Sequence, residues 1–403
     1  MKFKETKIGT IPTSWEVKPI KEITEIVTDY VANGSFASLA ENVTYKDEED
    51  VAVLIRLVDY NNDFQGKFVF IDEHAYEFLG KSKLYGDEII ISNVGANVGT
   101  VFRCPKLKYK MSLAPNSIMV KFKGNDDFYF HWLRGYNGQQ MLKSIVTGSA
   151  QPKFNKTNFK EMLVPVPPIK EQNKIATILN TIDEKISINK KINNNLEQQA
   201  QAIYQQMFVD NPSSEWIEGT LSDIADITMG QSPSGSSYNE ESIGTIFFQG
   251  RAEFGFRFPT VRLFTTEPKR MACANDTLMS VRAPVGDLNV AHTDCCIGRG
   301  LAAIHSKTKH QSFVLYTMFS LKKQLDVFNG EGTVFGSINR NSLNEMSILI
   351  PSDEKLDEFE GIVAPMDTAI RNNYDEICRL EQIRNSLLPK LMSGELDVSD
   401  IDL

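Results

Sequence analysis

The sequence predicts two copies of one mixed α/β (α+β) unit, separated by two long helices that pair as an antiparallel coiled coil. Two observations predict it. Four landmarks recur in the same order in the two halves of the 403-residue chain, and each half ends in a run of apolar residues at heptad spacing.

The repeat begins with PTSWEVKPIKEITEI (Pro12 to Ile26) and PSSEWIEGTLSDIADI (Pro212 to Ile227). Trp15 matches Trp216, and Ile20, Ile23 and Ile26 match Leu221, Ile224 and Ile227. Next, DEIIISNVGANVG (Asp87 to Gly99) resembles DTLMSVRAPVG (Asp276 to Gly286): an acid, an apolar strand-like run, then a glycine turn. Third, FKEMLVPVP (Phe159 to Pro167) resembles LNEMSILIP (Leu343 to Pro351), and a helix follows in each half. Four ordered landmarks mark a duplicated unit and a pseudo-two-fold chain.

The helices follow from periodicity. Steps of four and three from Ile175 reach Leu179, Ile182, Ile186, Asn189, Asn193, Leu196, Ala200 and Ile203. The same walk from Phe359 reaches Val363, Met366, Ile370, Asn373, Ile377, Leu380, Arg384 and Leu387. One amphipathic helix could lie on its own domain; two matched runs in one register read as seams of a mutual coiled coil. A domain must fit between them, so they should run antiparallel over about 50 Å at ~1.5 Å per residue. Asn373 is expected to face the Asn189/Asn193 region and fix the register. The chain then divides into a first domain (1–166), a central helix (167–210), a second domain (211–352), a C-terminal helix (353–393) and an acidic tail (394–403).

Composition is that of a globular protein, 41% hydrophobic and 24% charged. No apolar run approaches a membrane span. The five cysteines follow no pairing or metal-ligand spacing, which suggests a reducing cytoplasm. The net charge of −9 is concentrated at one end. Residues 1–166 carry 21 Lys+Arg against 20 Asp+Glu, whereas residues 353–403 carry 5 against 13. The balance excludes a histone-like protein but leaves phosphate binding open, because that depends on the local field. The acidic tail reads as a solvated end or as a partner surface.

Catalytic patterns are missing. There is no GxxxxGK[ST] loop, no strand–GxGxxG–helix unit and no Asn-Pro-Pro-aromatic run. Glu16-Val-Lys18 belongs to the Trp15 repeat. HTDCC (His292 to Cys296) suits a buried strand better than a tetrahedral metal site. A non-catalytic chain with two globular modules held apart is a measuring device, and duplex DNA with a split target is what it would measure.

The residues also resemble a known family. PVPPIKEQNKI (Pro165 to Ile175) resembles the opening of the central helix of type I restriction–modification DNA specificity subunits. TGSAQPKFN (Thr147 to Asn155) is similar to the end of that family's first target-recognition domain. FFQGRAEFGF, SVRAPVGD, CCIGRGLAAI and GTVFGSIN together resemble one recurring type of target-recognition domain. IPSDEKLDEF (Ile350 to Phe359) departs from the double-proline opening. The resemblance implies a cytoplasmic, prokaryotic protein that binds a bipartite asymmetric DNA sequence, one half per target-recognition domain. It implies two adenine-N6 methyltransferase subunits docked on the helices, and motor and endonuclease subunits beyond them. S-adenosylmethionine, ATP and magnesium would belong to those partners, with no cofactor or metal in this chain. The alternatives are a specificity protein for a fused methyltransferase–nuclease, a protein-binding scaffold, and an enzyme with unrecognised motifs.

Arg, Lys, Asn and Gln make most contacts to phosphates and base edges. The DNA-binding candidates in the second domain are Gln249, Arg251, Arg282, Arg299 and Arg340, all in turn-like parts of the resembling motifs. In the first they are Arg56 (aligned with Gln249), Asn93, Asn97, Gln151 and Lys153, with Lys106, Lys108 and Lys110 as a phosphate stripe. Trp15, Trp216, Phe254, Phe256 and Phe258 are read as core.

Overall fold

Ile169–Tyr204 is a single 36-residue α-helix that runs on through a π turn, Gln205–Asp210. It opens behind Pro167-Pro168: the Pro168 carbonyl accepts the N–H groups of Glu171 (2.9 Å) and Gln172 (3.1 Å), as fits a proline that lacks its own donor. The C-terminal helix, Asp353–Ser393, has 41 residues and continues through Gly361, Pro365 and Pro389. The structure, a computed structural model, describes residues 2–282, 284–330, 336–399 and 401. Met1, Ala283, Glu331, the first half of GTVFGSIN (332–335) and tail residues 400, 402 and 403 lie outside the described residues. None of the described helices is long and apolar enough to cross a membrane.

Contacts divide the chain into two compact units, residues 1–186 with 378–403, and residues 187–377. Each unit holds one domain and a part of both long helices, and in each the helices run antiparallel. In the first, Ile175 and Leu179 pack in one cluster with Leu387 and Leu391, and Asp183 pairs with Arg384 at 2.7 Å. In the second, Leu196 and Ile203 pack with Phe359, Val363, Met366 and Ile370. Asn189 donates to Glu376 (2.7 Å), and Asn373 donates to Asn193 (2.8 Å). Of the expected seam, Ile175, Leu179, Ile186, Asn189, Asn193, Phe359, Val363, Ile370 and Ile377 are buried. Ile182, Leu196, Ile203, Met366, Asn373, Leu380 and Leu387 are half-buried.

The two domains repeat one topology. In the first, one sheet has the spatial order Thr24–Asp29, Ser117–Phe122, Ile89–Ser92, Val101–Arg103; its counterpart is Ala225–Met229, Leu301–Ser306, Thr277–Val281, Val285–Val290. The other sheet runs Val69–Ile71, Ala52–Ile55, Lys110–Leu113, Lys83–Leu84 and is matched by Leu263–Thr265, Thr245–Phe248, Cys295–Ile297, Met271–Ala272. The second copy adds the edge strand Tyr238–Asn239. The middle pair of this sheet is parallel in both copies. Its strands AVLI and CCI are buried throughout, as parallel strands covered on both faces must be. A two-stranded ribbon, Glu16–Pro19 with Leu163–Val166 or Ile217–Thr220 with Ser347–Ile350, ties the start of each copy to its end.

The structure corrects two expectations. In the second landmark, Ile89 and Thr277 hold equivalent ladder positions, opposite Val120 and Ile304. Asp87 therefore matches Asn275, and Asp276 matches Glu88, one residue away from the sequence alignment. Asp87 and Asn275 share a left-handed backbone, φ 71° and 75°, which Asp and Asn tolerate better than most residues. The acid that follows each accepts N–H groups from the preceding turn. Nor is the described part of the tail solvated throughout, although Glu395, Leu396, Asp397 and Ser399 are exposed. Val398 is 2% exposed in the first unit's core, and Lys174 donates to the Ser399 carbonyl at 2.7 Å. Apolar burial of Val398 outweighs the local acidity.

One buried charge was not foreseen. Arg257, 3% exposed, lies within 3.1 Å of both Glu197 on the central helix and Asp367 on the C-terminal helix. It also donates to Tyr316 Oη at 3.0 Å. Its Nε has no partner among the described residues.

Candidate nucleic-acid interface

In the second unit, three strands of the two sheets deliver their following loops to one place. Gln249 follows Thr245–Phe248, Gly298–Gly300 follows Cys295–Ile297, and Arg282 follows Thr277–Val281. Backbone bonds knit them together: Gly298 N to Phe248 O (2.8 Å), Val281 N to Gly300 O (2.9 Å) and Ile338 N to Val281 O (3.1 Å). A Cβ on Gly298 would stand 2.7 Å from the Gln249 carbonyl, so only glycine lets these backbones approach so closely. Arg282 bridges Ser337, and the Arg299 N–H donates to Ser232 Oγ. Gln249, Arg282, Arg299 and Arg340 have exposed side chains, and none of them has a side-chain ion pair among the described residues. Arg340 opens the short helix Arg340–Asn344, capped by Asn339. Arg251 is exposed too, but it is paired with Asp287.

The first unit brings the same end of its sheets together. Phe154 N donates to Asn93 O (3.1 Å), Asn93 N to Asn116 O (3.0 Å) and Gly95 N to Pro152 O (2.9 Å). Lys153 bridges both Val94 and Thr147. Asn97, Gln151 and Lys153 are exposed here. Asn93 and Arg56 are half-buried and already engaged. Asn93 Nδ2 donates to Phe154 O (3.0 Å). Arg56 caps the helix Leu57–Asn61, binding Asp59 through Nε (3.0 Å) and Nη2 (2.6 Å), and also reaches Lys67 O. The Asp59 carboxylate holds the guanidinium more firmly protonated than usual.

Lys106, Lys108 and Lys110 are not brought to this end. Lys110 begins the strand Lys110–Leu113, which spans about 10 Å at ~3.3 Å per residue before the turn that leads to Asn116. Each lysine also faces an acid: Lys106 faces Asp87, Lys108 faces Glu49 (3.5 Å) and Lys110 faces Glu73 (2.9 Å). A stripe neutralised one for one attracts phosphate weakly.

The remaining motifs fall into place as structure. Trp15 is buried and Trp216 packs at the edge of its core; Phe258 is buried, while Phe256 is 49% exposed. Cys295 and Cys296 are buried on one strand, where successive side chains point to opposite faces. Burial, with the Asp276 charge second, pushes the Cys295 thiol up to about 12. His292 bonds Asp375 at 2.7 Å. Glu16 and Lys18 form a surface ion pair. No group of three metal-ligating side chains occurs among the described residues.

The two loop clusters share a scaffold and differ in chemistry. Equivalent backbone bonds place Val94 where the second copy has Arg282, and Lys153 where it has Ser337. Arg56 stands where it has Gln249. Ser232, Asp287 and Lys322, which hold the second set in place, were not identified from the sequence.

Residues 12–198 match the type I restriction modification DNA specificity domain. The putative type I restriction enzyme MjaX specificity subunit of Methanocaldococcus jannaschii is 29% identical, the alignment covering 98% of this chain and 97% of that protein. The MjaIX specificity subunit of the same organism is 23% identical over 99% and 97%. The crystal structure of a type I restriction–modification S subunit from M. genitalium shares the fold, with a TM-score of 0.60 at 16% identity, covering 95% of this chain and 96% of that one. Matched domain, full-length relatives and duplicated fold agree in what the chain is similar to: the type I restriction–modification DNA specificity subunits.

Proposed function

We propose that this chain is the sequence-reading subunit of a type I restriction–modification complex, and that each domain reads one half of a bipartite, asymmetric duplex target. The observation that carries it is the duplicated reading end. One scaffold presents Gln151, Lys153 and Asn97 in one copy and Gln249, Arg282 and Arg299 in the other. Different donor sets on the same backbone select different bases, so the two half-sites differ. Two methyltransferase subunits would dock on the paired helices, and motor and endonuclease subunits would complete the assembly. S-adenosylmethionine, ATP and magnesium would be bound by those subunits, while this chain sets the sequence and the gap.

The test is to sequence N6-methyladenine across a genome carrying this chain with its methyltransferase. A split motif is expected, with a methylated adenine in each half. Replacing residues 211–352 by those of a relative should change one half and leave the other. An unsplit motif, or simultaneous change of both halves, overturns the proposal.

A further inference from the structure

The loop that carries Arg251 is fixed from several directions. Buried Glu253 accepts the Gly250 N–H (3.1 Å) and Arg262 Nη2 (3.1 Å). The Phe254 N–H returns to Arg251 O (2.9 Å), and the Thr260 N–H reaches Glu253 O (2.8 Å). Arg251 therefore leaves a rigid backbone, and its Nε donates to Asp287. Asp287 is itself placed, on the strand Val285–Val290, by its N–H bond to Ser280 Oγ at 3.0 Å. Its second oxygen stands 3.5 Å from Lys322 Nζ. The Arg251 side chain remains 56% exposed, at a cleft of about 530 Å³ lined by Phe254, Gly255, Gly286 and Lys322.

The carboxylate distinguishes two uses of such an arginine. Beside a phosphate it is unfavourable, because it repels the anion and spends part of the arginine's charge. Beside a base edge it helps, because it holds the guanidinium in one orientation and removes the entropy of ordering it on binding. With Nε taken, the outer N–H groups form a fork of donors. Guanine alone offers that fork two acceptors, O6 and N7. Adenine sets its amino group against one arm, cytosine presents an amino donor, and thymine presents one carbonyl beside a methyl group. Arg282, Arg299 and Arg340 carry no such carboxylate among the described residues.

We infer that Arg251, held by Asp287, is the specificity-determining side chain for one guanine in the half-site read by the second unit. The inference rests on the DNA-reading role proposed above. Its test uses the full chain in complex with its methyltransferase, with the second unit's half-site first identified by the 211–352 replacement. Wild type should show a fixed G·C pair in that half. In R251A that pair should become degenerate, with discrimination falling roughly 5- to 150-fold, while the other half stays intact. R251K, which keeps the charge without the fork, should retain binding and lose the discrimination, and D287N should weaken it at the same position. No G·C pair in that half sinks the inference. So does R251A binding every sequence equally more weakly with a shallower salt dependence, the signature of a phosphate contact. A wild-type complex that marks no sequence would instead sink the DNA-reading role itself. If R251A proves unfolded by its melting curve, R251K decides alone.

Discussion

Asn373 donates its side-chain amide to Asn193 Oδ1 at 2.8 Å, and Asn193 Nδ2 donates in turn to the Ile370 carbonyl at 3.2 Å. Asn193 is 3% exposed and Asn189, one helical turn away, is 1% exposed, so a polar layer interrupts the apolar seam, the device by which paired helices reject shifted registers.

Replacing one partner should cost more than replacing both. N193L leaves the Asn373 donor without its partner and removes the second bond to the Ile370 carbonyl, a loss of about 1–3 kcal/mol. N193L/N373L should recover most of the melting temperature and admit a second helix register, seen as a mixture of gap lengths in the methylated motif. A single variant that melts with wild type contradicts the role of this layer.

Cations at the loop end and cations at the far end of the first domain should behave differently in salt. Each phosphate contact contributes a slope of about 0.9 to log K against log [salt]. R340A, which removes an exposed cation of the loop end, should shorten that slope by one such step. K106A/K108A/K110A should leave it unchanged, because Asp87, Glu49 and Glu73 already neutralise those lysines. Duplex titrations at several salt concentrations read both.

Glu197 gives a signed pH dependence. Burial raises its carboxyl above a free glutamate's 4.5, against the lowering effect of Arg257, while Asp367 raises it further. A carboxyl raised on folding binds its proton more tightly in the folded state. Its contribution to stability is fully present below 4.5 and is lost as the pH rises through the folded value. Wild-type stability minus that of E197Q should therefore fall as the pH rises from about 4 to neutrality. Paired urea titrations would measure it, and a difference that grows over that range reverses the assignment.

Truncation after Gly394 should destabilise the chain. Fully burying one valine is worth roughly 1.5–3 kcal/mol, and the cut removes Val398 from the first unit's core along with the Lys174–Ser399 bond. A lowered melting temperature is expected, and V398A should reproduce part of the loss. A truncated chain as stable as wild type would return the tail to solvent.

The helices were legible because heptad spacing is a local pattern, and Ile175 to Leu387 can be located without knowing what they touch. The duplicated topology was legible for a related reason: Trp15 and Trp216 mark the same turn of the chain. Ion pairing was not. Nothing near Lys110 in the sequence shows that Glu73, 37 residues away, will neutralise it, and nothing beside Arg56 distinguishes a cap from a reader except Asp59, three residues on. Arg257 was missed for the opposite reason. It lies among the aromatics of FGFRFP, and that apolar setting is a local signal of burial. Asp287 lies within SVRAPVGD, and nothing beside it in the sequence marks it as the partner of Arg251, 36 residues away.

The division of the chain also orders its biosynthesis. Residues 187–377 are contiguous, so that unit has all its parts once residue 377 has cleared the ribosome. The other unit begins first and finishes last, because Leu391 and Val398 close a core whose first residues were made nearly four hundred residues earlier. Until Leu391 and Val398 emerge, the nascent amino-terminal half carries an open apolar seam, the kind of surface that chaperones hold and that aggregation exploits. A premature stop near the end would thus cripple the domain at the beginning.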